Sequence, residues 1–549
     1  MSLAPQDQIL DQPATHTRRR LILATVIVLF LLALIVTPPL LNVSRLRHRI
    51  TTSMSQSLGR PVHLDGVTFH LLPIPGFTLT NLVVSEDPAF GNEPVIRAMD
   101  VEATLRVSSL WRRQVEFSTI RFVTDAEGSA PSINIVRNAQ GRWNLQEILT
   151  QASHANTAPT GQRKPGSVPR FPYIEATGAR INLKLGDEKM PYSLTDADFA
   201  LWLPSPQQWH IRLKATPART DTNTADTGEL HLEGTIGRAP LLAAFPINLT
   251  ASWAQAQMGE ATRLLTGNDQ NWRGTVEAGA TLIGQLGAAS LALTVHLTDL
   301  RRADFFPAKL LDVSTHCTAA ADFTLLTLTN ATCAIPNGGP QPIVLASPSL
   351  DLQAPSSAAI TFDVHQLPAN WALDWARLFT PRIPANLNPI GLIEGQLSRP
   401  PGPSTAWAGT LQATLQAVTT GDRQLDLSPK PVVFNWQAAP HAAPSNPFYF
   451  NLQLQPVAIR LAPNSQLALT GSIDPLSYAF QLTGSATPAQ ITTLGDAVLP
   501  PLGHDLAQSL KPSQTPTPIS IQCTRPFATG QTCTTLHPEP PTKPKHHRH

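Results

Sequence analysis

Four cysteines are the side chains best placed for covalent chemistry in this 549-residue chain, and they fall as two local pairs, Cys317 with Cys333 and Cys523 with Cys533. Each pair sits on two strand-like segments joined by a turn, His316-Cys317-Thr318 against Ala331-Thr332-Cys333 and Ile519 to Thr524 against Thr532 to Thr535. Adjacent antiparallel strands bring Cα atoms within bridging reach, so the spacing favours two disulfides formed in an oxidising compartment. Plain buried thiols are the alternative. A metal site fits less well, because neither pair is a CxxC and no histidine is spaced to complete a ligand set.

Other chemistry is sparse. No HExxH, GxSxG, Walker A or GxGxxG pattern occurs, so no enzymatic activity and no cofactor is expected. His546, His547 and His549 close a short basic tail that reads as solvated rather than metal-binding. Asn42, Asn248 and Asn330 open glycosylation sequons of a kind that arises readily by chance. Trp111, Trp143, Trp371 and Trp375 could stack on a ligand, but they sit at strand and helix packing positions and are expected as core anchors.

The elements that carry these residues begin with Leu21 to Leu41, an uncharged apolar stretch. At about 1.5 Å per residue it reaches across a hydrocarbon core of about 30 Å, so a transmembrane helix is predicted over 21–41. Arginines flank it on both sides, Arg18 to Arg20 before and Arg45, Arg47 and Arg49 after, and the positive-inside count is nearly tied. The disulfide reading breaks the tie. It exports the bulk of the chain and leaves residues 1–20 in the cytoplasm.

Val43, Leu46, Ile50, Met54 and Leu58 then recur at helical spacing until Gly59-Arg60-Pro61 stops the pattern. From Val62 the apolar period becomes two, as in Val62-x-Leu64 and Val67-x-Phe69-x-Leu71, and later in Ile181-x-Leu183-x-Leu185, Leu291-x-Leu293-x-Val295-x-Leu297 and Phe450-x-Leu452-x-Leu454. The intervening positions are small or polar, which predicts antiparallel strands with one apolar and one polar face. The expected organisation is an N-terminal β domain over 42–150, a linker or loop over 151–170, a repeating strand region over 171–510, a disulfide hairpin over 511–535 and a disordered tail over 536–549.

A loose internal repeat runs through this region. Three alternating apolar residues lead to a short helical pattern in Ile247, Leu249, Ala251 with Met258, Ala261, Leu265; in Ile360, Phe362, Val364 with Trp371, Trp375, Leu378; and in Tyr478, Phe480, Leu482 with Ile491, Leu494, Val498.

Composition narrows the function classes. Lys and Arg number 40 against 38 Asp and Glu, a balance unlike the basic excess of nucleic-acid binders. Charged residues are only 14% of the chain, against roughly 25% in ordinary soluble domains. The 52 prolines argue against long soluble helices.

Leu58 to Gly91 (LGRPVHLDGVTFHLLPIPGFTLTNLVVSEDPAFG), Ser109 to Trp111, Val115 to Phe122 and Pro131 to Leu145 (PSINIVRNAQGRWNL), and more loosely Gly234 to Gly274, carry a resemblance. On these blocks the N-terminal part resembles the start of the AsmA family of membrane-anchored bacterial envelope proteins. Its most specific block, Pro131 to Leu145, reads as strand, turn and strand and carries no catalytic arrangement. The resemblance implies a mainly β fold, an elongated antiparallel repeating β-groove with a few short helices, related to bridge-like lipid transfer proteins. It also implies an inner-membrane anchor, a periplasmic bulk and phospholipids as partners. Leu291, Leu293, Val295, Leu297, Leu452 and Leu454 are then the candidate groove residues. The rival expectation is a periplasmic scaffold that assists outer-membrane protein assembly by pairing its strand edges with a client.

Overall fold

A computed structural model of the chain describes residues 19–20, 22–28, 43–71, 74–106, 117–125, 127–148, 172–185, 190–205, 207–304, 309–379, 383–402, 405–421, 423–426, 431–439, 450–498, 513–526 and 534–536. The linker at 151–170, the tail beyond Leu536 with its histidines, Trp111, Cys533 and most of the apolar stretch lie outside these residues, while Leu536, expected to open the disordered tail, closes a strand. Residues 22–28 are helical, with Ile22 and Leu23 more than half exposed. Among the described residues no helix is long and apolar enough to cross a membrane. The chain forms two compact units, residues 1–136, 144–182 and 196–209 in the first, and residues 137–143, 183–195 and 210–549 in the second.

The first unit opens with α1 (Val43–Leu58), where Ile50 and Met54 turn toward the strands. Gly59 adopts φ 65°, a left-handed conformation that ends the helix, and Pro61 prevents its resumption. The Ser55 hydroxyl then accepts the Val62 N–H at 3.0 Å, fixing the exit into the first strand. That strand is β1 (Val62–His63), followed by β2 (Gly66–His70), β3 (Gly76–Val84), β4 (Ile96–Leu105), β5 (Phe117–Val123) and β6 (Ser132–Val136). β3 pairs antiparallel with β1, β2 and β4, and β4 pairs with β5 and β6. The alternation expected from Val62 is seen as one buried face, Leu64, Val67, Phe77 and Leu79, packed with Ile50 and Met54 of α1. The expected continuation at Val83 is corrected, because Asn81 takes φ 51° and interrupts the register, so that Leu82 and Val84 are buried instead.

One pairing departs from the antiparallel expectation. β7 (Tyr173–Leu185) lies parallel to β5, with Thr119 opposite Tyr173 and Phe122 opposite Ala176. The chain has travelled through β6 and a long connection before it returns beside β5, and a connection of that length permits parallel pairing where a tight hairpin does not.

In the second unit, after β8 (Met190–Ser205), the strands follow one another as a ladder. They are β9 (Gln208–Arg219), β10 (Glu229–Gly237), β11 (Pro246–Gln257), β12 (Trp272–Gln285), β13 (Ala288–Arg302), β14 (Leu311–Asp322), β15 (Thr327–Ile335), β16 (Ile343–Asp351), β17 (Ile360–Pro368), β18 (Leu387–Arg399) and β19 (Ala408–Thr420). From β10 to β19 each strand pairs antiparallel with the next. β19 holds two partners along its length, β20 (Arg423–Asp426) and β21 (Val432–Ala438). β22 (Leu452–Ile459), β23 (Gln466–Ile473), β24 (Ser477–Ala486), β25 (Thr517–Pro526) and β26 (Thr534–Leu536) continue from β21.

The internal repeat is a structural unit. α2 (Met258–Thr266), α3 (Ala369–Arg377) and α4 (Pro488–Val498) follow β11, β17 and β24, and in each case the strand after the helix pairs back on the strand before it. Gln255 and Gln366 each take a positive φ, 60° and 50°, where a register shift interrupts the ladder just before α2 and α3. Such bulges turn the chain out of the sheet and into the helix. α4 begins with a capping box, the Thr487 hydroxyl accepting the Gln490 N–H and the Gln490 side chain accepting the Thr487 N–H.

Candidate functional site

Register partners in an antiparallel ladder point to the same face. From β10 to β18 one such row reads Leu232, Ala251, Ala280, Leu293, Cys317, Cys333, Leu345, Phe362 and Leu397. A neighbouring row reads Leu230, Trp253, Ala278, Val295 and Thr315. The opposite face carries exposed His296, Ser314, His316 and Thr318. The predicted stripe Leu291, Leu293, Val295 and Leu297 therefore belongs to an apolar surface that runs across nine strands of the second unit.

How that surface is covered decides what it can do. In two stacked sheets, the middle of each strand is its most buried part. Here the order is reversed. On β13 Ala289 is 2% exposed and Leu300 3%, whereas Leu291, Leu293, Val295 and Leu297 between them are only half-buried. β14 repeats the profile, with Leu311 and Ala321 buried and Val313, Thr315, Cys317 and Ala319 half-buried. β11 does so again between Ile247 and Ala256, and Leu345 on β16 is 37% exposed.

Both strand ends have identifiable covers. At one end Met258 and Ala261 of α2 pack with Ala256, Val276, Val295 and Leu297, and Trp375 with Leu378 after α3 packs on Leu300, Leu311 and Val313. Trp371 packs with Ile343 and Val364, its ring 5.5 Å from that of Trp375, so both tryptophans are the core anchors expected. Arg377 fastens α3 by donating to the carbonyls of Pro384 and Leu387 while it pairs with Asp374, which also binds Lys309 at 2.6 Å. At the other end the turns are laced by backbone bonds of 2.9 Å from Leu286 N–H to Phe245, Gly287 N–H to Ala243, Phe323 N–H to Leu286 and Leu352 N–H to Leu326.

The half-buried middle offers little to a polar ligand. Thr315 contributes a hydroxyl, and it already donates to the Ala334 carbonyl at 3.1 Å. Cys317 and Cys333 stand directly opposite each other in the row and are joined by a disulfide, their Cα atoms 4.0 Å apart. The bridge ties β14 to β15 within the surface and removes two thiols from it. No group of three or more metal-ligating side chains occurs among the described residues. What remains is a surface suited to hydrocarbon, each CH₂ removed from water contributing about 0.8 kcal/mol.

The other candidates separate. Leu452 is half-buried, but Leu454 is buried with Val432, Val457, Ile459, Leu467 and Ile491 in a core closed by α4. Cys523 on β25 is disulfide-bonded too, and β25 and β26 pair antiparallel from Ser520 opposite Leu536 to Gln522 opposite Thr534.

A feature that sequence reasoning missed explains the Pro131 to Leu145 block. Asn144 is fully buried. Its Oδ1 accepts the Val136 N–H at 2.9 Å, and its Nδ2 donates to the Asn134 carbonyl at 2.8 Å and to Glu86 at 2.6 Å. Arg60, from the Leu58 to Gly91 block, reaches Asp87 and Glu147, both at 3.3 Å. Asn134 donates to the Pro94 carbonyl and accepts from Asn182. The two motif blocks thus meet in one polar network around the buried Asn144, whose side-chain oxygen and nitrogen are both bonded, while Arg60 Nε has no partner among the described residues. The signal available beforehand was a set of asparagines spaced through a strand-like segment.

The model of the AsmA family matches residues 16–178, a span that contains both blocks and every member of this network except Asn182. No curated protein and no solved structure matches the chain.

Proposed function

We propose, from the match of residues 16–178 to the model of the AsmA family, that this chain is an inner-membrane protein, anchored by residues 21–41, whose periplasmic strands bind phospholipid acyl chains and support lipid movement to the outer membrane. The observation that carries this reading is the inverted burial of β11, β13 and β14, apolar in the middle yet covered only at the ends. A surface of that kind is costly to leave in water, and acyl chains match it in chemistry. No phosphate-cradling loop is visible in the sequence, so movement along the surface is passive or driven by a partner.

The test is photo-crosslinking in living cells from a benzophenone side chain placed at Leu293, with His296 on the opposite face as the control. The expected result is a phospholipid adduct at 293, identified by mass spectrometry, and none at 296. Protein adducts alone at 293 would favour the scaffold reading instead.

A further inference from the structure

The turn between β2 and β3 has the sequence Leu71-Leu72-Pro73-Ile74-Pro75, apolar where hairpin turns are usually polar. Ile74 is 53% exposed. From its position we propose that this hairpin tip, through Leu71 and Ile74, rests in the interface of the same bilayer that holds residues 21–41. The inference rests on the anchor reading above.

The placement follows from two contacts within the first unit. Ser55 of α1 accepts the Val62 N–H, and Arg47, two turns nearer the anchor, donates to the Asp65 carbonyl at 3.0 Å. As strand numbers rise, helix numbers fall, so β1 and β2 run back along α1 toward its N-terminus. Along α1 about 6 Å separates Arg47 from Val43 at roughly 1.5 Å per residue. Along β2 about 13 Å separates Gly66 from His70 at roughly 3.3 Å per residue. The strand therefore reaches the level of the first helical turn before its tip begins, and the apolar stretch ends at Leu41, just before that turn.

β4 ends and β5 begins at this same end of the ladder, since Gly76 faces Thr104 and Leu105 faces Phe117. A further feature fits a lipid interface: Arg47, exposed in the first half of α1, carries a charge that complements anionic headgroups. The hairpin would thereby set the orientation of the first unit on the membrane, a task that a single helix crossing the bilayer does poorly.

The experiment uses the full chain in vesicles of phosphatidylethanolamine and phosphatidylglycerol. No cysteine is free among the described residues, so a nitroxide can be attached at Ile74→Cys without competition from them. Glu127→Cys, in an exposed turn at the opposite end of the same ladder, is the control. The expected result is that oxygen, which partitions into lipid, relaxes the label at 74 several-fold more than a water-soluble nickel complex does, with the reverse order at 127. If the chain stays in the vesicles through an alkaline wash yet both labels behave as water-exposed, the hairpin proposal is overturned alone. If the wash removes the chain, the anchor reading fails and takes this proposal with it.

Discussion

Placing the same charge at two positions on one face of β13 gives the sharpest test of the apolar surface. Leu293 and Leu300 are the same residue type on the same strand, one half-buried in the middle and the other 3% exposed under the end covers. In Leu293→Asp the carboxylate reaches solvent across the uncovered middle, and the loss is about half of the 1.5–3 kcal/mol that full burial of a leucine supplies, so about 1 kcal/mol. In Leu300→Asp the truncation alone costs about 2–5 kcal/mol, and a carboxylate with no buried partner adds several more. That sum is comparable with a whole domain stability of about 5–15 kcal/mol. Urea midpoints followed by tryptophan fluorescence, with bound lipid weighed on the same preparations, separate the cases. The expected outcome is a folded Leu293→Asp chain with less lipid and an unfolded or insoluble Leu300→Asp chain. Equal destabilisation would mean that the middle of the strand is closed core, and the lipid surface would have to be abandoned.

Cys317→Ser together with Cys333→Ser opens a loop of 16 residues and should cost about 3 kcal/mol, read as a lower urea midpoint that reductant no longer changes. Asn144→Ala removes a side chain that satisfies a backbone N–H, a carbonyl and Glu86 inside the first unit, and a loss of about 3 kcal/mol in thermal or urea unfolding is expected; a change below 1 kcal/mol, at the weak end of what such bonds contribute, would show that the network is dispensable. Asp269 is held below the ordinary aspartate value of 3.8, chiefly by the hydrogen bond from Arg273. Its contribution to stability is thus present above 3.8 and fades as the pH falls below it, so the difference in unfolding midpoint between the native chain and Asp269→Asn should shrink on acidification. A reporter that is active only in the periplasm should work when fused after Thr150, and activity confined to a cytoplasmic reporter would reverse the orientation.

Much of this chain is determined locally and was legible as sequence. A strand with one covered face shows period two, so the stripe at 291–297 was readable without neighbours, and the cysteines on adjacent strands gave the 317–333 bridge for the same reason. The strand and helix of each repeat were readable because three alternating residues and then a helical spacing are both short-range patterns. Tertiary structure alone decided whether a stripe is core or open surface. Leu293 and Leu454 have the same pattern in sequence, yet one lies between end covers and the other lies beneath α4, because the difference is made by residues distant along the chain. The parallel pairing of β5 with β7 and the meeting of Arg60, Glu86 and Asn144 were hidden likewise. Periodicity records which side of a strand avoids water; what stands opposite that side is set by long-range packing, which no local pattern encodes.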